Sequence, residues 1–218
     1  MIHTVWPRNE KGRGTVFKLT LTEPLSVEPG DFLDIPASNA PGFVIRDCLF
    51  EDHRARGLRI MASDGVIERN TFRRLKMSAV TIGAEYEFWR EAGWVENVTI
   101  RNNTIEDVGR DGAIHSRGAY VLGAISVFGR ADGRSQLPLR PGNRGIVIQD
   151  NTIRDCPAAG IFAAAAKDVQ IRGNRLENCF YRPGESPGKA RGLDVRGPID
   201  ARHAQNVVIE SNEIKANE

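Results

Sequence analysis

The sequence predicts an all-β chain wound as a right-handed parallel β-helix of about six coils. Three observations predict it: a ten-residue pattern that recurs six times without gaps, an Asn column inside it, and a second apolar column downstream. The pattern reads "FVIRDCLFED" from Phe43, "GVIERNTFRR" from Gly65, "VTIRNNTIED" from Val98, "IVIQDNTIRD" from Ile146, "VQIRGNRLEN" from Val169 and "VVIESNEIKA" from Val207. A short unit of this kind cannot bury its apolar face alone, whereas stacked units share one continuous core.

The chain opens with residues 1–41, which hold "TVFKLTLTEPLSVEPGDFLDIP" and suggest an entry strand or cap. Residues 42–218 are the coils, so the whole chain reads as a single β-helix domain. Each coil is anchored on one ladder residue: Cys48, Asn70, Asn103, Asn151, Asn174 and Asn212. Three residues before the anchor there is always Ile, and two residues after it stand Phe50, Phe72, Ile105, Ile153, Leu176 and Ile214. Asn suits such a corner because it tolerates left-handed backbone and its amide can bond from coil to coil. Cys48 would be the inert end of that ladder. The second apolar column is "GLRIM" at 57, "AVTIG" at 79, "AISVF" at 124, "GIFAA" at 160 and "GLDVR" at 192. Leucine-rich repeats are the competing solenoid, but no LxxLxL run occurs.

Two columns of charge flank the anchors. Glu51, Arg73, Glu106, Arg154, Glu177 and Lys215 follow by three residues, and Arg46, Glu68, Arg101, Gln149, Arg172 and Glu210 precede by two. Equivalent residues on neighbouring coils lie about 4.8 Å apart, so near-alternating signs attract across a solvated face. These charges belong to the scaffold. Cys156, Cys179 and His53 fall five residues after their anchors, in line with Leu75 and Val108, and are expected in a buried column.

Composition narrows the function classes. With 27% charged residues and a net charge of +2, the chain is globular and carries no polyanion signature, so nucleic acid is not expected. No apolar run is long enough for a membrane span, and the N-terminus has no apolar segment of a signal peptide. Three cysteines without CxxC or Cys/His spacing support neither metal nor a disulfide framework. No P-loop or GxGxxG is present, and no cofactor is expected.

Function in a solenoid usually sits in its insertions. Four exceed the minimal coil: residues 84–95, 109–122, 129–143 and 181–191. The first and third leave the same corner of adjacent coils and should touch. The segment "AEYEFWREAGW" gathers Glu85, Glu87 and Glu91 with Tyr86, Phe88, Trp89 and Trp94, none of them needed by the ladders. Carboxylates on neighbouring coils can reach the roughly 6.5 to 9.5 Å of an inverting glycosidase or the shorter spacing of a retaining one. Aromatic faces suit the apolar faces of a sugar, and Arg or His suits its hydroxyls.

At this point the chain resembles a known family. "RDCLFEDHRARGLRIMASDGVIERNTF" and "AVTIGAEYEFWREAGWVENVTIRNNTIED" are similar to the β-helix core of glycoside hydrolase family 110, the α-1,3-galactosidases that act on terminal galactose by inversion. The resemblance covers roughly residues 28–180 and is sharpest from Arg54 to Ile105. It implies Arg54 and Arg56 of the RARG turn as substrate-binding residues and Glu91 as the glutamate of the aromatic loop. Glu85, in Gly83-Ala84-Glu85, stands where a Gly-Asp pair is expected. Family members are several hundred residues long, so the chain looks like one internal piece, and the family is secreted or periplasmic.

Glu91 and Glu85 are therefore the candidate general acid and base, unless they form a salt-bridged loop with Arg90. Asp52 is a possible third carboxylate or a turn cap, and Asp111 is the reserve. Tyr86, Trp89 and Trp94 could form the sugar platform, although Trp94 abuts a strand and could instead be packed. His115 could contact the ligand. The expected partner is an oligo- or polysaccharide. The alternatives are a non-catalytic carbohydrate-binding or structural module, and further off a polysaccharide lyase or adhesin fragment. The last coil would leave its apolar underside open, so self-association through that end is expected.

Overall fold

The computed structural model describes residues 2–4, 17–27, 39–84, 93–110, 121–129, 141–181 and 195–215. Every regular element among them is a strand. The chain divides into two compact units, Met1–Leu33 and Asp34–Glu218. In the first unit, β1 (Ile2–Thr4) pairs antiparallel with β2 (Phe17–Leu19), Ile2 lying opposite Leu19.

The second unit is a parallel β-helix with three sheets. The first sheet stacks β3 (Val44–Arg46), β6 (Gly65–Glu68), β9 (Glu96–Arg101), β12 (Asn143–Gln149), β15 (Ala166–Arg172) and β18 (Gln205–Glu210). The second stacks β4 (Leu49–Glu51), β7 (Thr71–Leu75), β10 (Thr104–Val108), β13 (Thr152–Cys156), β16 (Arg175–Cys179) and β19 (Glu213–Lys215). The third stacks β5 (Leu58–Ile60), β8 (Val80–Ile82), β11 (Gly123–Val127), β14 (Ala159–Ala164) and β17 (Ile199–Arg202). The register is the one the repeat implies: Ile67, Ile100, Ile148 and Ile171 pair in turn, as do Phe72, Ile105, Ile153 and Leu176. All eight are fully buried and form the axis of the core.

Sharp corners come from left-handed backbone at three positions per coil: six residues before the anchor, one before it and four after it. Asp64, Asn97, Asp168 and Asn206 hold the first, Asp47, Asn102 and Asp150 the second, Asp52, Asp107, Asp155 and Asn178 the third, with φ between 49° and 58°. Asp and Asn dominate because their short polar side chains lower the cost of this conformation. The left-handed residue is thus the one before the ladder Asn, not the ladder Asn itself, contrary to the sequence expectation. The ladder Asn turns its side chain inward instead. Asn103 Nδ2 donates to Asn151 Oδ1 (2.9 Å) and to Ile67 O (3.0 Å), and its N–H donates to the same Asn151 oxygen (3.0 Å). The chain of amides runs from Asn70 to Asn212, and Cys48 closes it by donating only its backbone N–H to Asn70 Oδ1.

The charge columns pair between coils as their signs suggest: Glu51 with Arg73 (2.5 Å), Glu106 with Arg154 (2.9 Å) and Glu68 with Arg101 (2.8 Å). Cys156 and Cys179 are register partners in the second sheet, and both thiols are free. Burial pushes both thiol pKa values up, that of Cys179 to about 12.

Two further expectations are corrected. His53 is exposed rather than in a core column, because it lies on the first coil; its Nδ1 accepts the Ala55 N–H (3.1 Å). The strand that follows β14 in the third sheet also lies later than the "GLDVR" expectation put it. Ile199 pairs with Ile161, so the strand is Ile199–Arg202, six residues later. The interval from the third sheet to the next anchor decides this: Ile161 to Asn174 and Ile199 to Asn212 are the same length, whereas Leu193 stands too far back.

Candidate functional site

All four insertions attach to one sheet, the third. The segment before β5 carries Arg54 and Arg56; residues 109–122 lead into β11, and residues 181–198 lead into β17. These lie at the edge where the strands begin. At the opposite edge, residues 84–95 follow β8 and residues 129–142 follow β11. The outer face of the third sheet is therefore a strip bounded by insertions on both sides. With strands of three to six residues, it is about 10 to 20 Å wide.

The outward column of that strip is Arg59, Thr81, Ser126, Phe162 and Asp200, in register from coil to coil. Its inward neighbours Val80, Ile82, Ile125 and Val127 are fully buried in the core, which fixes the direction of the polar residues by strand alternation. Arg59 Nη2 donates to Gly83 O (3.3 Å). Ser126 Oγ accepts the Gly123 N–H (3.0 Å) and donates to Gly123 O (3.1 Å). Thr81 Oγ1 is buried and has no hydrogen-bond partner among the described residues. A buried hydroxyl without a partner is costly, so this position calls for an explanation, such as a water or a ligand group.

Beyond Ser126 the strip changes character. Phe162, Leu122, Phe128 and Val195 form a second apolar cluster on the outside of the sheet, with Phe128 and Phe162 edge to face at 6.5 Å. Asp200, buried past this cluster, is ion-paired with Arg202 (Nε to Oδ1, 2.9 Å) and accepts the Arg196 N–H (2.7 Å). The polar floor is thus Arg59, Thr81 and Ser126, and Phe162 begins its apolar wall. These residues were passed over in the sequence because each sits singly in an apolar run; only their shared outward parity identifies them.

The roots of the two facing insertions meet. Trp94 fills the space beside Gly129 and Gly142, where a side chain at either glycine would overlap the indole. Val95 N–H donates to the buried Asn143 Oδ1 (3.2 Å), which ties the return of residues 84–95 to the return of residues 129–142. At Gly83, φ is 125° and any side chain would run into the Phe128 carbonyl, so the exits of both segments are also fixed. Trp94 is therefore a packing residue of the insertion roots, half-buried.

Of the remaining candidates, Asp52 sits in a left-handed corner (φ 55°) and is ion-paired with Arg74 (2.6 Å). The hydrogen bond from Arg74 holds its carboxyl below the usual carboxylate range, so at neutral pH it has no proton to give as a general acid. Arg54 is exposed, and Arg56 is half-buried beside the sheet edge. Glu85, Tyr86, Trp89 and Glu91, together with Asp111 and His115, lie outside the described residues. Among the described residues no cluster of His, Cys, Asp and Glu could hold a metal ion.

The family model described as "Right handed beta helix region" matches residues 88–218. Among curated proteins, the chain is 30% identical over 137 residues to alpha-1,3-galactosidase A of Bacteroides fragilis, covering 62% of this chain and 21% of that protein. It is 27% identical over 203 residues to alpha-1,3-galactosidase B of Bacteroides thetaiotaomicron, covering 92% and 30%. A third relative, alpha-1,3-galactosidase B of Phocaeicola vulgatus, is 24% identical over 204 residues, covering 90% and 32%. The resemblance read from the RARG turn and the aromatic loop is thus borne out. The chain spans between about a fifth and a third of the length of these relatives.

Proposed function

The chain belongs to the right-handed β-helix family, and we propose that on this scaffold it acts as a glycoside hydrolase removing terminal α-linked galactose, or a related sugar, by inversion. The observation that carries the reading is the outer strip of the third sheet, whose polar floor of Arg59, Thr81 and Ser126 is flanked at both edges by every insertion of the coils. The names of its relatives supply the sugar and the linkage.

In the proposed mechanism, Glu91 donates its proton to the glycosidic oxygen as the bond from that oxygen to the anomeric carbon breaks. Glu85 takes a proton from a water whose oxygen bonds to the anomeric carbon from the opposite face, and the sugar leaves with inverted configuration. Solvent then returns a proton to Glu91 and removes one from Glu85. Asp111 is the reserve carboxylate. Tyr86 and Trp89 supply a ring face, while Arg54, Arg56, His115 and the unsatisfied Thr81 hydroxyl supply bonds to sugar hydroxyls. The partner is an oligo- or polysaccharide.

A second reading is a non-catalytic carbohydrate-binding module on the same right-handed β-helix scaffold. Hydrolysis of p-nitrophenyl α-galactoside by the wild type and by Glu91→Gln separates the two. The enzyme reading expects release by the wild type and a loss of roughly 10²- to 10⁴-fold in the variant. Equal rates would remove Glu91 from the mechanism, and no release by either would leave the binding reading.

A further inference from the structure

Asn143 is the one polar residue in an otherwise small, apolar column. The registers of the first sheet place Ala62, Val95, Asn143, Ala166 and Ala204 at the same position of successive coils. Val95, Asn143 and Ala166 are fully buried there. Burying an amide costs free energy unless it is bonded. Asn143 Oδ1 accepts the Val95 N–H (3.2 Å), and its Nδ2 donates to Ala165 O (3.4 Å). The bond to Val95 has the form of a ladder bond, in which Asn103 Oδ1 accepts the Asn70 N–H. The ladder repeats its Asn on every coil from Asn70 to Asn212, whereas this column uses Asn once.

That one position is where two insertions meet. Residues 129–142 return at Asn143, and Val95 ends residues 84–95. The same amide also reaches the exit of residues 84–95, since a Cβ at Gly83 would stand 3.3 Å from Asn143 Nδ2. Asn143 therefore meets both ends of one insertion while it closes the other. Where no insertion leaves this edge, between β5 and β6, β14 and β15, and β17 and β18, the column residue is Ala62, Ala166 or Ala204. The amide follows the insertions, not the coil.

We propose that Asn143 is a positioning residue of the sugar site, holding the exit and return of residues 84–95 together so that the carboxylates between them meet the sugar in one geometry. The inference rests on the proposed hydrolase reading, in which Glu85 lies two residues past Gly83 and Glu91 four before Val95. Asn143 is buried, so it acts through the insertion and not by touching the sugar. With both ends fixed, the insertion gives up chain freedom before the sugar arrives, which lowers the cost of reaching the reactive geometry.

The test compares Asn143→Ala with Asn151→Ala, a ladder variant whose amide lies between the first and second sheets, where no insertion attaches. Asn143→Ala installs the residue that other coils carry, so it should fold. Both variants lose a buried amide and should have lower unfolding midpoints. Well below those midpoints, kcat for p-nitrophenyl α-galactoside should fall at least about tenfold in Asn143→Ala, because misplacing reacting groups by about 1 Å can cost 10²-fold. It should hold in Asn151→Ala. Hydrogen exchange needs no activity: the Val95 amide should exchange faster in Asn143→Ala and not in Asn151→Ala. A kcat that falls alike in both variants, or a Val95 amide no faster in Asn143→Ala than in the wild type, overturns the proposal. A wild type that hydrolyses no galactoside overturns the hydrolase reading instead, and the exchange result then decides alone whether Asn143 anchors the insertion. If Asn143→Ala fails to fold, the wild-type Val95 amide decides: exchange as slow as that of its buried neighbours supports the anchor, and exchange at the rate of an open chain overturns it.

Discussion

The Trp94 indole occupies the space that a side chain at Gly142 would need, so the return of one insertion is packed on the return of the next. This contact joins the roots of residues 84–95 and 129–142, which leave adjacent coils. Gly142→Ala must displace the ring, and overpacking of this kind costs about 2 kcal/mol. The expected result is a lower unfolding midpoint, with a larger loss in sugar hydrolysis than that midpoint alone explains. Denaturant unfolding of the variant beside its activity checks it.

The ladder is a buried polar network, and its middle should cost more to break than its end. Asn103→Ala removes the donor to Ile67 O and the acceptor of the Asn70 backbone N–H, and should destabilise by about 3 kcal/mol. Asn212, half-covered on the last rung, should cost about 1 kcal/mol when replaced by Ala. Chemical denaturation of both variants measures the difference, and equal losses would contradict the ladder as a cooperative element.

Acid should unfold the helix through its corner and ladder carboxylates. Asp47, Asp52 and Glu68 are held below their ordinary range by hydrogen bonds from Arg69, Arg74 and Arg101 respectively. A carboxyl depressed in the folded state stabilises it fully above the unfolded value near 4 and loses that contribution as pH falls through the folded value. Thermal midpoints should therefore be level above about pH 5 and decline below about pH 4. High salt, which screens exposed pairs, should lower the plateau and shrink the decline.

Thiol labelling reports the core directly. Cys48 is exposed, whereas Cys156 is buried and Cys179 partly so, both with raised pKa values. Near pH 8 a thiol reagent should modify one cysteine of the native chain quickly and the other two only on unfolding. Fast labelling of three would contradict the packed column.

Much of this fold was legible because one gapless pattern fixes both sheets next to the ladder. Ile at the third residue before each anchor and the apolar residue at the second after it set the register without a structure. The third sheet was harder, since insertions of unequal length precede it and "GLDVR" imitates the pattern that Ile199–Arg202 actually supplies. The left-handed corners were misplaced by one residue because Asn occurs at both positions in Asn102-Asn103, and only hydrogen bonding separates their roles. His53 looked buried because column position says nothing about being on the first coil. At the site, the insertions were legible as departures from the repeat. The floor residue Thr81 was not, because a lone hydroxyl in "AVTIG" looks like any strand residue until it is seen buried with no partner among the described residues.

The proposed inverting α-galactosidase activity has a stereochemical signature. Proton magnetic resonance of an α-1,3-linked galactosyl disaccharide incubated with the chain tests it most directly. The account predicts that the β anomer of free galactose appears first and that Glu91→Gln abolishes it while the unfolding midpoint is unchanged. First release of the α anomer, or no galactose at all, would contradict it.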